Sequence, residues 1–217
     1  MAVDLIRLQD EDAASDRRTR ILDAAERCFV RAGFHRTTMQ DVAAEAGMSP
    51  GNLYRYFSAK DLMVAGLAER DRAEMGRDFA KLAEAKDFIA DVKALARKHF
   101  AEEPREKSIL CLQIWAEATR DAVFAAIAGD FERDVVGQLA ALFGKAQGEG
   151  AIVPEVDPQA LAVMVATLAN GLFVRRAILP GFNAEREVGN VIAVIEAAFA
   201  GRIDLPGAGS PENGRPS

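Results

Sequence analysis

The sequence predicts an all-α protein, with a three-helix module at the amino terminus and a larger helical body behind it. Three observations carry that expectation. Apolar residues recur at spacings of three and four through most of the 217 residues, which gives each helix one buried face. Glycine, proline and helix-capping residues fall where these runs stop. No stretch alternates polar with β-branched residues for long enough to make a useful strand.

The first helix is carried by Ile21, Leu22, Ala25, Cys28, Phe29 and Ala32, which share one face. Thr38 and Asp41 stand at capping-box spacing, so a second helix can begin at Thr38. Val42, Ala43 and Ala46 give it a small apolar face, and Gly47 can take the left-handed conformation that ends it. Ser49 then caps a third helix, Pro50 sits at its tolerant first position, and Met48 can staple onto Leu53. Helix, glycine turn, helix is the layout of a nucleic-acid-reading helix-turn-helix, although such pairs also occur in helical proteins that touch no DNA.

Beyond Ser58 an alanine-rich pattern runs to about residue 84 as one long helix, and a further helix covers 87–101 before Pro104. The spacing continues through 107–120, 121–147, 157–179 and 184–200. The breaks fall at Gly148, Gly150 and Pro154, at the Asp157-Pro158 cap, at Pro180-Gly181 and at Gly201.

The third helix crowds hydroxyls, an amide and a guanidinium onto a short segment: Ser49, Asn52, Tyr54, Arg55 and Tyr56. These groups contact phosphates and base edges. Gly51 leaves room for a duplex backbone to come close. Lys60 falls in the first turn of the next helix, where a cation beside a helix amino terminus suits a phosphate. Thr38, Tyr54, Tyr56 and Lys60 are expected to grip phosphates, and Ser49, Asn52 and Arg55 to meet base edges or their neighbours. With Gln40, Pro50 and Gly51 they make up the expected DNA-contacting set.

These residues resemble the TetR family of bacterial helix-turn-helix transcriptional regulators. The likeness rests on Ile21-Leu-Asp-Ala-Ala-Glu-Arg-Cys-Phe29, Gly33-Phe34, Thr38-Met-Gln-Asp-Val-Ala43, Ala46-Gly47, Gly51-Asn-Leu-Tyr-Arg-Tyr-Phe57 and Lys60-Asp-Leu62, in order over 16–65. Asn52 departs from the small or hydroxyl residue usual in the family, which bears on the operator and leaves the fold alone. The resemblance implies a homodimeric repressor on a palindromic operator in double-stranded DNA, with a small effector bound among the middle helices. Control of a neighbouring efflux pump or catabolic operon is implied in the same way, as is a cytoplasmic, nucleoid-associated location. The alternatives are a DNA-binding regulator without a ligand, and a helical small-molecule-binding or interaction protein.

In the body, Phe100, Cys111, Trp115, Phe124 and Phe131 lie among alanines and leucines. Aromatic beside small residues leave irregular space of the kind that takes a small hydrophobic or aromatic ligand, and the same rings can also simply fill a core. The last two helices are apolar nearly all round, so each is either deep in a core or covered by a partner. Leu161, Val165, Leu168, Leu172, Val191 and Ile195 are the expected dimer contacts, in the four-helix bundle that the resemblance implies.

The formal net charge is -6, yet residues 16–60 hold eight Lys or Arg against five Asp or Glu, leaving +3 there and -9 elsewhere. A local positive field on an acidic body suits a small DNA footprint. The domains follow: an amino-terminal arm expected to be mobile (1–14), a DNA-binding module (15–60), a ligand-binding and dimerisation body (61–203) and a disordered tail (204–217). Two cysteines offer no disulfide framework, and no run of apolar residues approaches the roughly 18 of a membrane span. His35 and His99 stand apart from any cysteine or acidic cluster at ligand spacing, so no metal, cofactor or catalytic constellation is expected.

Overall fold

The structure, a computed structural model, describes the backbone of residues 2–205 and the side chains of 15–205; the expected tail lies, from residue 206 on, outside the described residues. Among the described residues nine α-helices follow one another: α1 (Ala2–Ala32), α2 (Met39–Glu45), α3 (Pro50–Leu53), α4 (Lys60–Leu82), α5 (Phe88–Arg97), α6 (Arg105–Ala118), α7 (Ala122–Gly148), α8 (Pro158–Ile178) and α9 (Ala184–Phe199). α5 runs on into a π-helical turn, Lys98–Glu102, and no strand occurs among the described residues. α1 reaches back through the segment read as an arm, which contains neither glycine nor proline to stop it.

The chain forms two compact units, Met1–Asp71 with Gln113–Ile127, and Arg72–Leu112 with Ala128–Ser217. The boundary expected at residue 60 therefore falls within α4, and a segment from the middle of the chain joins the first unit. The reason is packing that composition cannot show. A Cβ at Gly66 of α4 would come within 3.0 Å of Leu22 on α1, and the Arg70 guanidinium bonds Asp23 at 2.7 Å and Glu26 at 2.5 Å. Ile21, Leu22, Ala25, Cys28 and Phe29 bury the expected face of α1, and Val42, Ala43, Ala46, Leu53 and Phe57 are buried with them in this unit.

The core of the second unit joins Leu139 and Phe143 of α7, Leu161 and Leu172 of α8, and Val188, Ile192, Ile195 and Phe199 of α9. The loop before α8 is fastened there, with Gln147 Nε2 donating to the Val153 and Val156 carbonyls at 2.9 and 2.8 Å. Asp157 caps α8 and Asn183 caps α9. Two arginines close the other end reciprocally. Arg105 donates to the Arg176 and Ala177 carbonyls at 3.0 and 2.6 Å, while buried Arg176 donates to those of His99 and Glu103.

Leu161, Leu172 and Ile195, expected to face a second copy, are thus buried inside one chain. Val165, Leu168 and Val191 are partly buried against the same core. An all-round apolar helix gives no sequence signal of which side faces inward. α8 spends that side within the unit and leaves Val163 and Ile178 about half exposed. By length and composition α8 is also the one helix among the described residues apolar enough to cross a membrane, with mean hydropathy 1.5, although polar residues interrupt it.

Candidate nucleic-acid interface

The helix-turn-helix is assembled by the caps that its sequence provides. Thr38 Oγ1 accepts from the Asp41 amide at 3.1 Å, and the Thr38 amide donates to Asp41 Oδ2 at 2.8 Å, completing the capping box of α2. The Thr38 hydroxyl, donating to Asp41 Oδ2 at 2.7 Å, and after it the Thr38 amide hold the Asp41 carboxyl below its ordinary pKa. Gly47 ends α2 at φ +67°, with the Met48 amide bonding back to the Ala43 carbonyl at 2.9 Å. Ser49 Oγ accepts from the Asn52 amide at 3.3 Å and starts α3. α3 is shorter than expected, one turn from Pro50 to Leu53 continued by turns that close at Phe57. Gly51, Asn52 and the aromatic residues that follow are poor helix formers, and buried Leu53 and Phe57 hold the segment instead.

Of the ten expected contact residues, Thr38, Gln40, Ser49, Pro50, Gly51, Tyr54 and Arg55 are exposed, while Asn52 and Tyr56 are partly so. Among the described residues nothing lies within 4 Å of a Cβ built on Gly51. The position is glycine without any internal reason. Arg27 and Arg31 both pair with Glu45 at the end of α2, at 2.7 and 3.2 Å, and hold its carboxyl below the ordinary range, Arg27 the more strongly.

Lys60 points elsewhere. Its ammonium donates to the Phe34 and Thr37 carbonyls at 2.6 and 2.7 Å, lies 3.4 Å from the His35 carbonyl, and stands 4.4 Å over the Phe34 ring. An ammonium has three protons, and each has an acceptor here. Burial pushes its pKa below the ordinary value, and neighbouring Asp61 opposes the shift. The side chain fastens the turn between α1 and α2. The Phe34 ring is the centre of that turn, 5.5 Å from Phe29 and 4.8 Å edge-on from buried Phe124, and His35 Nε2 pairs with Glu117 at 2.9 Å. In this way 113–127 is built into the first unit.

The expected ligand residues are consequently divided. Trp115 and Phe124 belong to the first unit, where Phe124 packs on Phe34; Phe100, Cys111 and Phe131 belong to the second. Phe100 stacks edge-on against Phe173 at 5.0 Å, a pairing with no signal in sequence distance. Beside it runs a feature that sequence reading missed, a closed circuit of three carboxylates, two lysines and a histidine. Lys98 bridges Glu74 (3.0 Å) and Asp78, His99 bridges Asp78 (3.3 Å) and Glu103 (2.8 Å), and Lys107 bridges Glu103 (3.1 Å) and Glu74 (3.8 Å). His99 thus lies between two carboxylates, not apart from them. The spacings 74/78, 99/103 and 103/107 were the available signal, each one helical turn. The Glu74 carboxyl is held below its ordinary pKa chiefly by Lys98. For Asp78 burial pushes upward and Lys98 downward, for Glu103 burial pushes upward and the hydrogen bond from His99 and the charge of Lys107 downward, and the net direction of both is down.

Residues 21–67 match the profile of the family described as bacterial regulatory proteins, tetR family. Residues 89–200, just over half of the chain, match that of the BetI-type transcriptional repressor, C-terminal. The chain is 26% identical over 159 residues to the HTH-type transcriptional regulator UidR of Escherichia coli K12, covering 73% of this chain and 81% of that one. It is 27% identical over 173 residues to the HTH-type transcriptional regulator BetI of Burkholderia ambifaria, covering 76% and 84%. Among solved structures, Salmonella enterica GusR shares the fold with a TM-score of 0.73 at 24% identity, over 85% of this chain and 95% of that one.

Proposed function

This chain belongs to the TetR family of bacterial regulatory proteins and is a transcription regulator; on that premise we propose that it acts as a homodimeric repressor released from its operator by a small ligand. The observation that carries the reading is the surface around α3. Gln40, Ser49, Gly51, Tyr54 and Arg55 are exposed on a scaffold that buries Val42, Ala43, Leu53 and Phe57 beneath them. That arrangement fits a helix-turn-helix in the major groove, with Ser49, Asn52 and Arg55 at base edges, and Thr38, Gln40, Pro50, Tyr54 and Tyr56 beside them along the backbone. Lys60 supports the site from behind.

Two copies place two such segments in successive grooves about 34 Å apart on a palindrome. The dimer forms through the outer faces of α8 and α9. Val163, Thr167, Gly171, Val174 and Ile178 recur at helical spacing on α8, and Val163, Ile178 and Val194 are 49%, 55% and 39% exposed although apolar. A small apolar or aromatic effector occupies the helical body of the second unit and lowers operator affinity by favouring a different shape. The regulated genes are those of a neighbouring efflux pump or catabolic operon, and the protein works in the cytoplasm at the nucleoid.

A gel shift with duplex DNA from the protein's own promoter tests the reading. Retardation that mixed-sequence competitor does not abolish, and that a hydrophobic compound reverses, is the expected result. A DNA-binding regulator without a ligand is the second reading, favoured by the Phe124 and Phe100 rings, which pack on Phe34 and Phe173 of the chain itself. Retardation that no compound reverses would select it.

A further inference from the structure

We propose that Arg17 and Arg20 of α1 form a second grip on DNA, on backbone phosphates flanking the groove that α3 enters. The inference rests on the DNA-binding reading and extends it to a helix outside the helix-turn-helix. α1 carries a row of arginines, Arg17, Arg20, Arg27 and Arg31, spaced so that they share one face of the helix. The far end of the row is internally committed, since Arg27 and Arg31 both pair with Glu45. Arg18, on the adjoining face, is committed as well, 4.5 Å over the Phe57 ring and 3.8 Å from Glu69.

Arg17 and Arg20 lie at the other end, in the turn Ser15–Arg20, every residue of which is exposed. Arg17 Nη1 donates to the Tyr56 hydroxyl at 3.5 Å, so its guanidinium lies beside a residue already assigned to the phosphate backbone. Asp16 is the one acid among these six residues, against three arginines. A guanidinium presents paired N–H donors in the geometry of a phosphate, and the two arginines extend the cationic edge of the reading segment by one helical turn.

The test is the salt dependence of binding by the full chain to a mixed-sequence duplex, which reports phosphate contacts without knowledge of the operator. Replacing both residues, Arg17→Ala with Arg20→Ala, should flatten the slope of log K against log salt by about 1.8, and Arg20→Ala alone by about 0.9. Lysine at both positions should largely restore it. Arg20→Ala leaves the Tyr56 contact in place, so its slope decides the matter even if the double variant melts early. A wild-type slope in Arg20→Ala and in a folded double variant would overturn the second grip while leaving DNA binding intact. Failure of the unaltered protein to bind duplex at any salt would instead overturn the DNA reading beneath it.

Discussion

Replacing Lys60 with alanine should cost the protein its stability before it costs a phosphate contact. The ammonium holds the Phe34 and Thr37 carbonyls at 2.6 and 2.7 Å and lies over the Phe34 ring. A hydrogen bond to a charged group contributes about 1.5–3 kcal/mol when well buried. Lys60 is only partly buried, so the two bonds together contribute about 2–3 kcal/mol, and the ring contact adds about 0.5–1 kcal/mol. Removing it also leaves two carbonyls to be rescued by water. At about 2–4 °C per kcal/mol for a chain of this size, melting should fall by roughly 5–15 °C. Lys60→Met, which keeps the apolar stem and loses the donors, should fall nearly as far. The assay is a thermal melt of each variant beside a salt titration of DNA binding. An unchanged melting temperature with a salt slope lower by about one would refute the argument and return Lys60 to the DNA backbone.

Gly51→Ala should raise melting by roughly 1–4 °C, because alanine gains about 0.5–1 kcal/mol in a helix and the new methyl meets none of the described residues, while it weakens duplex binding. Unaltered binding in a gel shift would remove the close approach inferred there. Val163→Glu should dissociate the dimer in sedimentation with the fold intact, whereas Ile195→Glu should unfold the second unit, since Ile195 is 6% exposed within one chain. A folded monomeric Ile195→Glu protein would reverse that assignment. Glu74, Asp78 and Glu103 have folded-state pKa values below their ordinary ones, so the circuit's contribution is complete above the ordinary carboxylate range and is lost as pH falls through the folded values. The urea midpoint should therefore hold from neutral pH to about pH 5 and drop as pH falls below that through the carboxylate range, and less so in Asp78→Asn. An equal drop in that variant would place the acid sensitivity elsewhere.

Local signals in the sequence were realised almost atom for atom. The Thr38–Asp41 box, the Gly47 turn and the Ser49 cap are each specified by residues within four positions of one another, and all are present. What depended on distant partners was not legible. Lys60 looks outward on a helical wheel, and only the fold brings the carbonyls of Phe34 and Thr37 to its ammonium. Phe124 read as a pocket ring because nothing in the sequence announces its edge-on contact with Phe34, ninety residues earlier. The greasiness of α8 and α9 was plain, but a helix apolar on every side does not declare which side its own chain will take. Leu161, Leu172 and Ile195 went inward, and Val163, Ile178 and Val194 were left outside.

The most direct test of a dimeric, operator-reading regulator is a protection footprint across the protein's own promoter at physiological salt. Two symmetric protected segments should appear about 10 base pairs apart, centre to centre, on one face of the duplex, and should vanish with Arg55→Ala. A promoter left uniformly unprotected by folded protein, at concentrations where mixed-sequence DNA is already bound, would contradict the account.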